Sequence, residues 1–250
     1  MKNNRFDYQS VAGDYQSRAM LSGPRMQRFW HAGKLVAFDL LMEQFKAEFI
    51  SAKTIVEVGC GSGLLIQHLA QVGKQFYGVD INFRALQYLN TQMKIMEKQS
   101  CYKSVYALGQ VMPFESKSVD WVILSEVIEH FENPEILIHE MARILKPEGM
   151  IYITTPNYNS NWVWLEKIID LLNKAPKMEG EQHISRFNME ILRILLSDWK
   201  IETMGTFYLF SPWLSFISRK LATKKLTLEI KDAIQDGMLL YCFARNKKYS

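Results

Sequence analysis

Between residues 54 and 157 the hydrophobic positions follow two periods that alternate along the chain. Short β-branched or aromatic runs predict strands, and segments with apolar residues three or four positions apart predict helices. The predicted strands cover residues 54–58, 75–80, 102–108, 121–124 and 150–155. The helices between them begin at Leu64, Phe83 and Asn133-Pro134, and the last one ends near Leu145, before a turn at 146–149. Strands that alternate with helices in this way predict βαβ units in a mainly parallel sheet.

The flanking segments have a looser pattern. Residues 1–50 show helical spacing, which predicts a helical cap before the alternating region. The segments predicted after residue 157 are an amphipathic helix at 162–172, a loop at 174–181, a helix at 188–199 and two strands at 200–210 and 238–245. We interpret residues 1–250 as a single α/β domain, with a cap at 1–50, a core at 51–157 and a substrate-side segment with final strands at 158–250.

The composition is typical of a soluble globular protein. The chain has 250 residues, 48% of them hydrophobic, and a formal net charge of +4. No run approaches roughly 18–20 apolar residues, and the N-terminus lacks the apolar segment of a signal peptide, so we expect a cytoplasmic protein. Cys60, Cys101 and Cys242 are far apart and lack CxxC spacing, which excludes a disulfide framework and a cysteine zinc site.

Positive charge is concentrated near the C-terminus. Residues 217–250 contain eight basic and three acidic side chains, a net charge of +5. A basic end favours anionic partners or a membrane surface, and the aromatic stretch 207–217 beside it would dock there or line a pocket for an apolar acceptor. The alternative is a solvated basic face behind a core strand. Basic residues do not interleave with aromatics over a long face, so nucleic-acid binding is not predicted.

The first predicted strand leads into a glycine turn, EVGCGSG at residues 57–63. A glycine turn between a strand and a helix lets a ligand approach the backbone amides. The spacing GxGxG differs from the GxGxxG of dinucleotide-binding proteins, and no GK[ST] of a P-loop follows. Asp80 lies 21 residues beyond Gly59, at the end of the second predicted strand. A carboxylate at that place accepts hydrogen bonds from a ribose diol, so the two features together predict a nucleoside-containing ligand.

Four segments together resemble the class I S-adenosylmethionine-dependent methyltransferases: IVEVGCGSG, YGVD, MPFESKSVDWVILSEVIEH and ILKPEGMIYITTPN. The resemblance covers residues 54–157, and the most similar subgroup contains the ubiquinone-biosynthesis O-methyltransferases. It implies a Rossmann-like, seven-stranded, mainly parallel sheet with helices on both faces and an antiparallel last strand. Outside these residues the likeness is only general.

The resemblance also implies which residues bind S-adenosylmethionine. The loop glycines would admit its methionyl and ribosyl parts, and Glu57 would orient the turn and the methionine ammonium. Asp80 would accept from the ribose hydroxyls, and Ile81 would pack on the adenine. The chain has Leu-Gly at 108–109 where the family has Asp-Ala, so Gln110 or a backbone carbonyl would read the adenine amino group. The expected cofactor-binding set is Glu57, Gly59, Cys60, Gly61, Gly63, Asp80, Ile81, Gln110 and Ser125.

A carboxylate–histidine group follows the fourth predicted strand. If residues 126–130 form a helical turn, Glu126, Glu129 and His130 share one face. That arrangement suits general-base work, a divalent cation, or a purely orienting role. The resemblance associates the matching residues with magnesium, but imidazole is a poor ligand for Mg²⁺, and no metal site is predicted. His130 is the candidate catalytic residue, because an unperturbed imidazole titrates near pH 6.5 and can act as a base at neutral pH.

Three further side chains have two open interpretations. His183, in the loop at 180–186, resembles the substrate-side segment of the family and is either a site residue or a structural one. Tyr15 and His31, in the N-terminal helices, would either cap the cofactor or pack in the core. His68 and His139 are interpreted as helix-face residues without a role.

These features predict methyl transfer from S-adenosylmethionine to a small-molecule or lipid-like acceptor, with O-methylation as the expected chemistry. The alternative is a regulatory or scaffold protein that binds S-adenosylmethionine without turnover. The GxGxG spacing disfavours a third class, an NAD-dependent oxidoreductase. The sequence indicates neither the acceptor atom nor the oligomeric state.

Overall fold

The computed structural model describes residues 6–71, 73–171 and 182–247. The strands are β1 (Thr54–Val58), β2 (Gln75–Asp80), β3 (Tyr102–Tyr106), β4 (Val119–Ser125), β5 (Leu145–Pro156), β6 (Trp199–Phe207) and β7 (Leu239–Asn246). The helices are α1 (Tyr15–Ser22), α2 (Arg25–Met42), α3 (Lys46–Ser51), α4 (Leu64–Leu69), α5 (Phe83–Ile95), α6 (Pro134–Ile144), α7 (Trp162–Leu171), α8 (Met189–Leu195), α9 (Ser211–Leu214) and α10 (Arg219–Lys231). Among the helices of these ranges, none has both the length and the apolar character needed to cross a bilayer.

The strands form one seven-stranded sheet in the order β3-β2-β1-β4-β5-β7-β6. The four pairings among the first five strands are parallel, and β7 is antiparallel to both β5 and β6. This confirms the predicted mainly parallel sheet with an antiparallel last strand. The order reverses at β1, because the chain moves outward to β2 and β3 and then returns to β4 on the other side. In such sheets ligands bind at the carboxyl ends of the strands next to that reversal.

Both faces of the sheet are covered by helices, so its central strands are buried on two sides. In β4 the side chains alternate: Trp121 and Ile123 face the core that contains α2 and α5, while Val122 and Leu124 face the core that contains α6 and α8. All four are at most 2% exposed. A strand buried on both faces appears in the sequence as a continuous apolar run, which explains why this strand was predicted from its sequence.

The predicted helix end near Leu145 is confirmed, because α6 ends at Ile144. The predicted start of the next strand was wrong: it was expected at Met150, but β5 already begins at Leu145. The pairing runs from Val119↔Leu145 to Trp121↔Met150, with a register shift between them. The strand therefore includes the Pro-Glu-Gly segment because β4 pairs with residues on both sides of it, which the local sequence does not reveal. The predicted loop at 174–181 and the end of the predicted helix at 162–172 lie outside the described residues.

The N-terminal helices form the predicted cap. Helix α2 packs against the C-terminal part of the chain, where the Tyr208 hydroxyl donates to the backbone carbonyl of Trp30 over 2.7 Å. Gly33 permits this approach, because a Cβ at that position would lie 2.4 Å from the Tyr208 oxygen. Segments at the two ends of the chain are thereby held together beside the sheet. The division of the chain at residues 50 and 157 stays a prediction.

Candidate functional site

The glycine turn follows β1 and requires glycine at three positions. Gly59, Gly61 and Gly63 have φ values of +65°, +51° and +70°, in the left-handed region that L side chains rarely adopt. A Cβ at Gly61 would lie 2.7 Å from the Gln16 side-chain oxygen, so the cap helix α1 contacts this turn directly. The turn also bonds to β2, because the Gly59 and Cys60 amides donate to the Val79 carbonyl over 2.8 and 3.1 Å.

Asp80 ends β2 and faces the glycine turn. Its two carboxylate oxygens accept from the Gly61 amide and the Asn82 amide, each over 2.7 Å. Burial raises the pKa of Asp80, against the opposing effect of these backbone hydrogen bonds. A carboxylate has about four lone-pair sites, and the Ile81 amide is a third backbone donor to Asp80, so acceptor capacity remains for a ligand hydroxyl. Asp80 therefore shapes the turn and can still accept hydrogen bonds from a diol.

A cavity of about 840 Å³ opens at the carboxyl edge of the sheet, between the glycine turn and the N-terminal segment. Five of the nine expected cofactor-binding residues line it, together with the candidate catalytic residue His130: Gly59, Gly61, Asp80, Ile81 and Gln110. The cap contributes Tyr15 and Gln16, and the N-terminal segment contributes Tyr8. The volume lies within the range of about 300–1,000 Å³ that small-molecule sites occupy.

Four expected residues lie just outside the wall of this cavity, as far as the described residues define it: Glu57, Cys60, Gly63 and Ser125. Glu57 is 5% exposed, and its Oε2 atom has no hydrogen-bond partner in the described part of the chain. Burial raises the pKa of Glu57 to about 8, although the Ile66 amide and Lys34 lower it. Ser125 accepts a 3.2 Å hydrogen bond from the Thr154 hydroxyl, on the neighbouring strand β5. The cofactor roles of these residues stay predictions.

The cavity wall fits the parts of S-adenosylmethionine. Asp80 offers acceptors for a diol. Glu126 lines the same wall, but its negative charge is balanced by the ion pair with Lys34. The adenine end has no acid at position 108. Leu108, which is 57% exposed, and Gln110 line that end instead. The Gln110 amide is therefore available to a ligand in the cavity, and its contact with adenine stays a prediction.

Glu126 follows β4 and has a φ of +55°, a strained backbone conformation for a residue other than glycine. Its side chain extends to the cap, where Lys34 forms an ion pair with Oε2 and the Trp30 ring N–H donates to Oε1 over 3.2 Å. Burial alone would raise the pKa of Glu126, but Lys34 outweighs it and holds the pKa below its usual value. Glu126 is therefore ionised at neutral pH.

The expectation that Glu126, Glu129 and His130 share one helical face was wrong. A single 3₁₀ turn covers only Ile128–His130, and the left-handed backbone at Glu126 directs that side chain to the cap. Glu129 is instead buried, with its Oε2 accepting from the Thr155 hydroxyl over 3.0 Å. Helical spacing does not apply across a residue with positive φ.

His130 lies between the N-terminal segment and residue 182. Its Nδ1 is 2.8 Å from the Gln182 carbonyl and 2.8 Å from the Tyr8 hydroxyl. A carbonyl only accepts, so we assign the ring proton to Nδ1, which leaves the lone pair on Nε2. Burial lowers the pKa of His130 to about 4, which corrects the expected value near 6.5. The ring is thus neutral at pH 7 and is a weaker base than an unperturbed imidazole.

His183 joins a buried polar network behind His130. Its Nδ1 is 2.8 Å from Glu166 Oε1 on α7 and 2.9 Å from the Tyr158 hydroxyl, which itself donates to Glu166. Burial disfavours the charged ring, but the Glu166 hydrogen bond and the charge of Glu129 outweigh it and raise the pKa of His183. Burial raises the pKa of Glu129 to about 7, although His183 lowers it.

Glu129, His130 and His183 form a group of potential metal ligands, whose donor atoms lie within 4.8 Å of one another. The group offers two imidazoles and a single carboxylate, and Lys34 and Trp30 occupy the second carboxylate, that of Glu126. Mg²⁺ prefers oxygen ligands, so these side chains do not fit the ion that the resemblance implies.

The two N-terminal candidates have different positions. Tyr15 lines the cavity, whereas His31 is 9% exposed, packs inside the cap and has an Nδ1 without a partner among the described residues. Burial lowers the pKa of His31 to about 4. His31 therefore does not contribute to the cavity wall.

Sequence analysis missed several residues that build the site. Lys34 and Trp30 hold Glu126, and the Asn82 side chain donates to the Tyr8 and Val11 carbonyls over 2.9 and 3.0 Å, which ties the N-terminal segment to the cavity rim. The sequence gives a weak indication for Lys34, because it is a cation within the otherwise apolar stripe of α2, four residues after Trp30. No sequence pattern indicates a role for Tyr8 or Asn82.

Comparison with known proteins agrees with this fold. Residues 56–153 match the family model described as a methyltransferase domain. The mitochondrial ubiquinone biosynthesis O-methyltransferase of Rattus norvegicus is 33% identical over 134 residues, which are 50% of this chain and 39% of the relative. The ubiquinone biosynthesis O-methyltransferase of Salmonella paratyphi A is 28% identical over 158 residues, 61% of each chain. The chain thus spans less than two thirds of the length of these curated relatives.

Among solved structures, the geranyl diphosphate C-methyltransferase of Streptomyces coelicolor A3(2) superposes with a TM-score of 0.56. The two chains are 17% identical, and the match covers 78% of this chain and 71% of the other. At that identity the likeness shows the shared fold alone.

Proposed function

We propose that this chain, which carries a class I S-adenosylmethionine-dependent methyltransferase core, transfers a methyl group to the oxygen of a small-molecule or lipid-like acceptor. The observation that supports this most directly is the single cavity wall that contains the glycine turn, Asp80, Glu126 and His130. The turn and Asp80 serve the cofactor, and His130 serves the acceptor.

The sulfonium of S-adenosylmethionine supplies an activated methyl group when the cofactor is bound. The protein then has to align the acceptor and keep water out. Asp80 holds the ribose end, and Glu126 lines the same wall with its charge balanced by Lys34. Tyr8 and Tyr15 cover the cavity from the N-terminal side, where Asn82 anchors the chain.

His130 would take the proton from the acceptor hydroxyl through Nε2. The Gln182 carbonyl fixes the ring tautomer through Nδ1, so the lone pair is preset for this role. Its low pKa keeps the ring unprotonated at neutral pH, which is the state that a base requires.

The cavity favours an apolar acceptor, because Phe6, Val11, Phe131 and Ile184 line it together with His130. We propose that such an acceptor arrives from a membrane surface through the basic C-terminal region, because α10 carries five basic side chains and its one acid, Glu229, is buried against the Phe210 and Ser211 amides. The cytoplasm stays the proposed location, supported by three buried free cysteines.

Two measurements test the proposed function. Calorimetric titration should show binding of S-adenosylhomocysteine and none of NAD. With hydroxylated apolar acceptors, the purified chain should then release S-adenosylhomocysteine in a stoichiometric amount with methylated product. Binding without release across the acceptor panel would favour the regulatory alternative, and absence of binding would overturn the cofactor assignment.

A further inference from the structure

A second cavity, of about 460 Å³, lies on the opposite side of helix α1 from the cofactor cavity. Tyr15, Gln16 and Arg18 of α1 line the first cavity, whereas Met20 and Leu21 line the second. The rest of its wall comes from the start of α2 and from the segment between α9 and α10. Its volume is sufficient for a ligand of small-molecule size.

Three arginines line this cavity: Arg25 and Arg28 from α2 and Arg219 from α10. All three are exposed, and none forms an ion pair with a carboxylate of the described residues. Arg25 donates to the Phe216 carbonyl over 2.8 Å, which fixes one guanidinium at the wall. Three guanidiniums around one cavity, without a carboxylate partner among the described residues, favour an anion, and arginine binds phosphate oxygens well.

The start of α10 adds a second feature that favours an anion. The helix has 13 residues, begins at Arg219 and is capped by the Ser218 side chain, and Ser218 and Arg219 both line the cavity. The N-terminal end of a helix carries partial positive charge and free amide donors. The N-terminal end of α10 therefore adds positive electrostatic potential to that of the three arginines.

The rim of the cavity is apolar and unusually exposed. Leu21 is 71% exposed, Ile217 is 74% exposed, and Phe216 and Trp213 beside them are 51% and 41% exposed. Exposed apolar side chains around a basic cavity suit a ligand that has an anionic head and an apolar body. Aromatic and aliphatic side chains next to basic residues are typical of surfaces that lie at a membrane interface.

We propose that this cavity receives the phosphate headgroup of an anionic phospholipid and docks the protein on a bilayer through the rim around Ile217. Headgroup binding is a separate activity from methyl transfer, but the position of this cavity beside the cap connects the two. Because residues of α1 and α2 line this cavity, docking here would bring the cap close to the lipid surface.

The test uses co-sedimentation of the full chain with vesicles of phosphatidylcholine that contain phosphatidylglycerol. The variant is Arg28→Gln with Arg219→Gln, which leaves Arg25 in its hydrogen bond to Phe216. Each basic side chain near an anionic surface contributes roughly fivefold to binding, so the double variant should bind about 30-fold more weakly. The matched control, Lys94→Gln with Arg193→Gln, has the same net charge and two exposed positions elsewhere, and it should bind like the wild type.

The second variant tests the rim. Ile217→Asp places a negative charge on a side chain that is 74% exposed, so it leaves the core intact while weakening binding to the same vesicles. Equal losses in the Arg28/Arg219 variant and its control would overturn the headgroup site, as would equal binding to pure phosphatidylcholine. Binding of inorganic phosphate without binding of vesicles would show a site for free anions and would also overturn the proposal.

The affinity for S-adenosylhomocysteine, measured by calorimetry, keeps this test independent of the proposed function. It should be unchanged in all three variants. A chain that fails to bind S-adenosylhomocysteine but shows the Arg28 and Arg219 dependence on vesicles would refute the methyltransferase assignment and leave the headgroup site intact.

Discussion

Asp80 is the residue on which we expect cofactor affinity to depend most directly. Its carboxylate accepts from the Gly61 amide and retains acceptor capacity for a ligand hydroxyl. We expect Asp80→Ala to weaken S-adenosylhomocysteine binding by about 1–3 kcal/mol in calorimetry, because the hydroxyls lose a charged acceptor. Asp39→Ala, which removes an exposed partner of His68, is the control and should bind normally. An unchanged dissociation constant for the Asp80 variant would remove this residue from the site.

If His130 is the proposed base, its pKa sets how the turnover number depends on pH. A base works in its unprotonated form, and burial lowers the pKa of this ring to about 4. We therefore expect the turnover number to stay level as pH falls from about 8 to about 5 and to decline only near pH 4, whereas an unperturbed imidazole would decline below about 6.5. The measurement is a pH profile of turnover with saturating acceptor.

Replacement of the same ring tests its catalytic role. His130→Ala should lower turnover by roughly 10²-fold while the affinity for S-adenosylhomocysteine stays close to that of the wild type. His68→Ala, at an exposed ion pair on α4, serves as the control. Full turnover in the His130 variant would mean that this residue only orients the segment near residue 182.

At the scale of elements, α1 contacts the glycine turn through Gln16, and we expect this contact to affect cofactor binding. Gly61→Ala should cost roughly 1–2 kcal/mol of folding stability from its positive φ and also displace Gln16. Gly73→Ala is a matched control, because Gly73 has a φ of +90° and nothing within 4 Å of its would-be Cβ. Both variants should lose stability in urea unfolding, but only Gly61→Ala should weaken S-adenosylhomocysteine binding.

A double variant separates the backbone strain at residue 61 from the displacement of the Gln16 side chain. Addition of Gln16→Ala to Gly61→Ala removes the displaced side chain and should restore part of the binding. Equal effects of the two glycine variants on binding would show that the α1 contact does not control the cavity.

The cap helix α2 is attached to the sheet edge by the Lys34–Glu126 ion pair. The two side chains are only 12% and 21% exposed, so Lys34→Met leaves a largely buried carboxylate without its cation. We expect a loss of about 1–3 kcal/mol in the free energy of unfolding, and a partial recovery when Glu126→Gln is added. Lys46→Met, which removes an exposed ion pair with Glu43, should cost less than about 1 kcal/mol. Losses of equal size would show that the pair does not hold the cap.

At the scale of the whole molecule, the described residues do not provide the oxygen ligands that Mg²⁺ prefers. The Glu126 carboxylate is paired with Lys34, which leaves Glu129 as the one carboxylate in the group that it forms with His130 and His183 among the described residues. We therefore expect turnover to be unchanged by EDTA and by added magnesium. Loss of turnover with EDTA that is reversed by magnesium would contradict this and would return Glu129 and His130 to a metal site.

The strands, the glycine turn and the position of Asp80 at the end of β2 could be predicted from local sequence, because each depends on interactions between near neighbours in the chain. Strand β1 has the predicted bounds, since a β-branched run followed by glycines specifies both the element and its end. The glycine turn needs positive φ at three places, and only glycine adopts it without strain.

The tertiary structure alone decided which charged and polar groups face each other. Lys34 and Glu126 are 92 positions apart, and Tyr8 and His130 are 122 apart, so no local period connects them. The low pKa of His130 follows from burial, which depends on the packing of the whole cap. The positive φ at Glu126 also depends on its surroundings, because nothing in its own side chain favours it. The spacing of residues along the sequence therefore indicated where the site lies, whereas tertiary packing decided the protonation state and the orientation of its side chains.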